Sequence, residues 1–458
     1  MKKIFLLLIG CGLCLGLVAD RLFFKKEFDA DKILDNSILK ERKFDVNVKE
    51  VSVDEGKIKA YLLEDNSVSL VSIYFGFDRM GDAYVEKRGV THLMEAVLLD
   101  GAGNLNRKDL RKVMKEKGIK IGVGVDSDDA LFSFSYVKEF EEEAWKILKD
   151  VLYNSHLKDE DLQLARNQLE VAKKRHKESP KYLLEKLVNE EFYGEHPYGR
   201  DSIPDKEELD LVTRDDIIWY LNNYMTKDML SVGIAGDIDE NLAKEFLSFM
   251  FLGLKDKSDI KEIEVLNHKY DGDVKRVKSD VSKQSFVVHK TKGIRRLDED
   301  FYPFYVADFI FGGAGLNSRL NKVIREKEGL TYGIYSYLAM SDADEVWNIF
   351  YSASPANVKE IEDILKKEYD DFVKNGISED ELNMAKNSLL SSFNLRFASL
   401  FNIAEQLYLM MAMDLGRDFL EKRQDKVKNI SLDDVNRVIK KRMGNDDLVF
   451  VVDGVDGI

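Results

Sequence analysis

A sequence that repeats itself once, in order and at one offset, builds the same unit twice, and such a repeat governs everything else in this chain. Gly101-Ala102-Gly103, followed by Lys112-Val113-Met114-Lys115-Glu116-Lys117, is echoed by Gly313-Ala314-Gly315 and Lys322-Val323-Ile324-Arg325-Glu326-Lys327. Leu162-Gln163-Leu164-Ala165-Arg166-Asn167 returns 220 positions later as Leu382-Asn383-Met384-Ala385-Lys386-Asn387. Asp215-Asp216 matches Asp433-Asp434, and the apolar run 231–236 matches 449–454, both at 218. A period this long is no solenoid. It marks a duplicated domain, and 458 residues leave room for two copies of about 200 each.

Within a copy, apolar residues alternate over 68–77, as in a half-buried strand. Helical spacing covers 90–99, 107–117, 139–152, 160–177, 182–192 and 214–224. Two runs at 119–125 and 131–137 flank the polar turn 126–129 and read as a hairpin, and 229–236 reads as a buried strand. Hairpin strands followed by runs of helices predict an α+β class: two tandem homologous domains, each a mostly antiparallel sheet covered by helices. The charge-rich stretch 256–273 marks the join, giving domains at 45–250 and 275–458 and a linker at 251–274.

The formal charge of -15 excludes a nucleic-acid partner, because phosphate contacts need a basic surface. At the N-terminus, Met1-Lys2-Lys3 precedes an apolar run from Ile4 to Ala19, the pattern of an export signal at 1–19. Three fates fit it: cleavage after Ala19, retention as an anchor, or lipidation at Leu8-Ile9-Gly10-Cys11. Cys11 and Cys14, the chain's only cysteines, lie inside it, so its removal leaves no thiol for disulfides, metal sites or nucleophiles.

The segment with chemical content is Gly89-Val90-Thr91-His92-Leu93-Met94-Glu95-Ala96. On a helix, His92 and position 96 share a face, with Glu95 near it. Together with Asp100-Gly101, the Pro180 turn, His196-Pro197-Tyr198-Gly199, Tyr224 and Gly236-Asp237, it resembles the pitrilysin/insulinase-like zinc peptidases, over roughly 45–458 and including the duplication. In that family an H-x-x-E-H helix offers two imidazoles to one zinc and a carboxylate as general base.

The departures from that pattern decide what the resemblance implies. Ala96 stands where the second histidine belongs, and Ala172, eight residues before Pro180, where the resemblance places the glutamate ligand. Another glutamate of the family is replaced by Ala165. A zinc site needs three protein donors at about 2.0–2.2 Å, and methyl groups donate nothing. His176, one helical turn beyond Ala172, is displaced by about 5.4 Å and does not substitute. His156, His196, His268 and His289 show no metal spacing, and the second copy reads Val306-Ala307-Asp308-Phe309 at the matching place. No zinc of its own is therefore expected. His92 and Glu95 are expected to be a vestigial, satisfied polar pair lining an old cleft.

The second copy keeps a different part of the machinery. The run from Ser318 to Tyr332 resembles the motif in which an arginine and a tyrosine, here Arg325 and Tyr332, face the zinc across the chamber. A guanidinium fork and a phenol suit the binding of a peptide carbonyl or a developing oxyanion. Gly312-Gly313-Ala314-Gly315 lacks the lysine and hydroxyl of a phosphate loop and reads as a turn before a helix.

The resemblance implies a non-catalytic subunit of a heterodimeric metallopeptidase, exported to a bacterial periplasm. A partner with an intact H-x-x-E-H helix would supply the zinc. This chain would contribute substrate binding through Arg325 and Tyr332, with peptides taken up as added strands. Two readings stand beside it: a structural or assembly protein with no peptidase role, and a self-contained zinc peptidase with unusual ligands. A homodimer is an alternative assembly.

Overall fold

The computed structural model describes residues 47–280, 282–443 and 447–455; the segment 1–19 read as an export signal, with both cysteines, lies outside them. The first sheet is built from β1 (Lys49–Val53), β2 (Ile58–Glu64), β3 (Leu70–Phe77), β4 (Lys120–Val125), β5 (Ala130–Val137) and β6 (Leu230–Gly236). Its order is β1-β2-β6-β3-β5-β4. The second contains β7 (Val274–Lys278), β8 (Ser285–Lys292), β9 (Thr331–Met340), β10 (Glu345–Ala353) and β11 (Leu448–Asp453), in the order β9-β10-β8-β11-β7. Read from the other edge, the second order repeats the first strand for strand, with β1 as the addition. The class is α+β, and pairing is antiparallel except for β2 with β6 and β7 with β11.

The duplication extends to the helix starts. Helices Arg214–Tyr224 and Leu432–Arg442 lie 218 positions apart at both ends. Each opens on a capping box, Thr213 with Asp216 and Ser431 with Asp434, which satisfies backbone N–H groups that the first turn leaves unpaired. The sequence reading missed the β1–β2 hairpin and helix Glu240–Phe251.

The central strand β3 is covered on both faces. Val71, Ile73, Phe75 and Phe77 of β3 point into the core, where Phe75 stacks on Phe132 at 5.0 Å and meets Phe251 edge-on at 5.3 Å. The opposite face, with Tyr74 and Gly76, is covered by helix Leu400–Ala412 of the second repeat, whose Tyr408 ring lies 5.2 Å from Tyr74. A Cβ at Gly76 would come within 2.7 Å of the Tyr408 hydroxyl, and one at Gly233 of β6 within 2.1 Å of the Ala404 carbonyl oxygen. Glycine at both positions lets the helix lie directly on the sheet.

The exchange is mutual. Helix Pro180–Val188 of the first repeat packs on β11, β7 and β8 of the second sheet. It places Leu184 and Val188, with Phe192 just beyond, in one cluster with Phe286, Val288, Phe450 and Val452. The segment between the repeats is a strap fastened at both ends. Asp256 pairs with Lys57 at 2.7 Å and Lys227 at 2.8 Å, Glu262 with Arg79 at 2.7 Å, and the buried His268 with Asp344 at 3.1 Å. Regular structure runs to Phe251 before it and resumes at Val274.

Candidate functional site

Helix Val90–Val97 begins at Gly89, whose φ of 88° lies in the left-handed region that favours glycine. Val90, Leu93, Met94 and Val97 bury one face of it, leaving Glu95 and Ala96 exposed on the other. His92 is half-buried, and both of its ring nitrogens face oxygen. Nε2 lies 2.9 Å from the Ser202 carbonyl oxygen. Nδ1 lies 3.2 Å from Thr91 Oγ1 and 3.6 Å from Asp82 Oδ1, while the Thr91 hydroxyl donates to Asp82 at 2.8 Å. A carbonyl only accepts, so Nε2 carries the proton there and has no lone pair for a metal.

His92 and Glu95 find separate partners. No hydrogen bond joins them, because the histidine turns toward the 200–205 loop while Glu95 faces outward. Protein on one side of the Glu95 carboxyl strips water from it and holds its pKa above the ordinary value, against the pull of His92 and the Val125 amide.

The 200–205 loop is held down over this helix. Lys173, adjacent to Ala172, is buried and reaches Asp205 at 2.7 Å and Asp201 at 3.2 Å. Arg88 donates to the Asp201 carbonyl at 2.6 Å. Ser202 thus sits between two histidines, its carbonyl on His92 and its hydroxyl 3.4 Å from His176 Nε2. His176 in turn bonds Glu185 at 2.8 Å.

The other histidines are engaged too. His156 meets the Gly103 carbonyl at 2.8 Å, and His196 the Glu264 carbonyl at 3.0 Å. His289 lies between Asp447 at 2.6 Å and Glu362 at 3.1 Å. Burial pulls its pKa down, but those two bonds outweigh it and lift the value to about 9. Among the described residues no group of three or more His, Cys, Asp or Glu is placed to hold a metal. With methyls at 96 and 172 and His92 bonded to a carbonyl, these residues do not fit a zinc ion.

In the second repeat Arg325 lies on the helical turn Asn321–Lys327, and Tyr332 on β9 just beyond it. A register shift between Thr331 and Ile334 takes Tyr332 out of the ladder and leaves it 85% exposed. Asn321, fully buried, fixes turn and strand together: Nδ2 donates to the Ile334 carbonyl at 2.5 Å, and Oδ1 accepts from the Ile334 amide at 3.2 Å. Arg325 is half-buried, with no carboxylate partner among the described residues. No hydrogen bond or ion pair joins Arg325 or Tyr332 to His92 or Glu95. Gly315 opens a short turn ahead of Asn321–Lys327, as the glycine run predicts.

Sequence reasoning missed Asp82, Ser202 and Asn321. Asp82 and Ser202 act across loops, Ser202 partly through its backbone carbonyl, and no spacing rule marks such residues. Asn321 stands inside the recognised 318–332 run and carried the only available signal.

A duplicated α+β chain with a His-x-x-Glu helix in one repeat and an Arg/Tyr turn in the other defines a metallopeptidase-type protein, one with an incomplete donor set. Two family models match it, "Insulinase (Peptidase family M16)" over 65–205 and "Peptidase M16 inactive domain" over 211–389. The chain belongs to the insulinase family of peptidases, M16.

It is 23% identical to a Helicobacter pylori protein named non-peptidase homolog YmxG, over 87% of this chain and 92% of that one. It is 25% identical to the human mitochondrial-processing peptidase subunit alpha, over 78% and 72%. A peptidase M16 inactive-domain structure from Pseudomonas fluorescens superposes with a TM-score of 0.82 at 22% identity, covering 90% of this chain and 98% of that one. The periplasmic protease PqqL of Escherichia coli matches at 0.74 and 15% identity, over 89% of this chain and 46% of its own. Among the described residues no helix is long and apolar enough to cross a membrane.

Proposed function

We propose that this chain is the non-catalytic subunit of an exported two-chain zinc peptidase. It holds no zinc of its own; a partner with a complete H-x-x-E-H helix supplies the metal and the hydrolysis. This chain encloses peptide substrates and binds them through Arg325 and Tyr332. The reading rests on one asymmetry. The zinc donors are absent at 96 and 172 and turned to a carbonyl at His92, whereas Tyr332 is exposed and Arg325 has no carboxylate partner among the described residues, on a turn locked by Asn321. The relatives named as a non-peptidase homolog and as a peptidase subunit support it, and the periplasmic name of PqqL supports export.

The test is co-purification from the native host, followed by peptidase assay. A zinc-containing relative should accompany the chain, and a chelator should abolish turnover. Arg325→Ala should lower kcat/KM of the complex about ten-fold, the loss of one charge-assisted bond, with assembly intact. Unchanged turnover in an intact complex would count against this reading. It would favour an assembly protein without a peptidase role, which the closure of the 200–205 loop over His92 also suits.

A further inference from the structure

A second concave site lies in the second repeat, apart from the His92 helix and the Arg325 turn. It is a cavity of about 370 Å³ between residues 296–303 and helix Phe419–Asn429. This volume falls within the range of small-ligand pockets. Three cations line it: Arg437, which pairs with Asp300 at 2.7 Å, and Arg296 and Lys426, which have no ion pair among the described residues. Arg296 is ringed by aromatics, its guanidinium 4.2 Å from the Phe301 ring centre, 5.4 Å from Tyr302 and 5.3 Å from Phe419. Lys426 also stands over the Tyr302 ring, at 5.2 Å.

Arg423 lies between Phe419 and Lys426 on the same helix face. It is 5% exposed, rests on Phe393 at 4.0 Å, and its Nη1 is buried without a hydrogen-bond partner. Among the described residues none of Arg296, Arg423, Lys426 and the nearby Arg396 has an ion pair. Burial weakens the charged forms of Arg296 and Arg423, against the pull of Tyr302 and Tyr305, and the charge of Arg396 adds a smaller repulsion to both. The carboxylates of the wall are mostly committed: Asp298 pairs with Arg442 at 3.0 Å, and Asp434 caps its own helix through Ser431. Glu299 is the uncommitted one.

In a protein with 84 acidic and 69 basic residues, Arg296 and Lys426 on the wall and the buried Arg423 on the same helix as Lys426 lack carboxylate partners, and a buried guanidinium left unpaired is costly, which calls for an anion. A phosphate group carries close to two negative charges near neutral pH and matches guanidinium forks. We propose that this cavity binds a small soluble phosphate-bearing molecule, with Arg296 and Lys426 on its phosphate and the Tyr302 and Phe419 rings against the rest.

Inorganic pyrophosphate and a nucleoside monophosphate are the probes, titrated into the purified chain by calorimetry in low-salt chloride buffer. Saturable binding is expected, weakened about ten-fold by Lys426→Gln and by Arg296→Gln, with circular dichroism confirming that each variant is folded. Lys426 is exposed, so its replacement leaves the core intact. No saturable heat with either probe, or an affinity in both variants equal to that of the parent chain, would overturn the proposal. So would co-sedimentation with phosphatidylglycerol vesicles in the absence of any response to the soluble probes.

Discussion

At His92 a metal and a carbonyl compete for one nitrogen. The Ser202 carbonyl takes the Nε2 proton at 2.9 Å, and a charged or hydrogen-bonded imidazole is a poor ligand until that bond is released. The obstacle is small beside a metal's coordination energy, so the decisive deficit is in donors at 96 and 172. Ala172 sits on helix Asp159–Lys177, which packs against the Val90–Val97 helix, so donors at both positions would face one another. The double variant Ala96→His/Ala172→Glu is expected to bind about one zinc per chain by plasma mass spectrometry, whereas Ala96→His alone should stay well below that. A double variant without metal would show that position 172 does not oppose the His92 face. Ala96 was legible because a helix fixes which positions share a face, and Ala172 because the family resemblance sets its distance from Pro180. Ser202 and Asp82 were not, because their partners are set by loop geometry rather than by spacing.

Elements carry the duplication more clearly than they carry the packing. Offsets of 218 and 220 predicted that the second repeat has the strands and helices of the first, and the two sheets share their strand order. What periodicity left open is where each helix goes. An apolar face states that a helix is buried, not which sheet buries it. Leu400–Ala412 carries buried Ile403, Ala404, Leu407, Tyr408 and Met410, enough for any layer, and it crosses to the first sheet. The signal for that choice lay in β6, where Gly233 replaces the β-branched residue a central strand favours. A methyl there meets a backbone carbonyl at 2.1 Å and cannot be relieved by a rotamer change. Gly233→Ala is therefore expected to destabilise the protein by about 1–3 kcal/mol, read as a lower denaturation midpoint. The same change at the exposed Gly253, where nothing lies within 4 Å, is the control. Equal midpoints for the two variants would remove the case for close helix–sheet contact.

On the scale of the molecule, the exchanged helices and the strap make the two repeats one body, and their junction stores an acidic charge. The 126–129 turn of the first repeat meets the 341–344 turn of the second. There Asp128 accepts from Tyr198 at 2.5 Å and from the Asp342 amide at 3.2 Å, while Tyr84 donates to Asp342 at 2.6 Å. Asp129 lies behind them, with the Tyr408 hydroxyl at 3.5 Å. Asp78, Asp126, Asp128 and Asp342 surround it, and the neighbouring cation Arg79 is drawn to Glu262. Loss of water, and then the repulsion of these carboxylates, pushes the Asp129 pKa up to about 8 and that of Asp128 to about 6.

A carboxyl whose folded pKa exceeds its unfolded value stabilises the fold while protonated. That contribution is full below 3.8 and is lost as pH rises through about 8. The thermal midpoint should therefore fall between about pH 5 and pH 9. Asp129→Asn, which keeps the shape and cannot ionise, should flatten the upper part of that fall and exceed the parent chain at the alkaline end. A variant whose midpoint tracks the parent across the whole range would mean that Asp129 ionises freely in the folded protein. The junction between the repeats would then owe its stability to the tyrosine bonds and the exchanged helices alone.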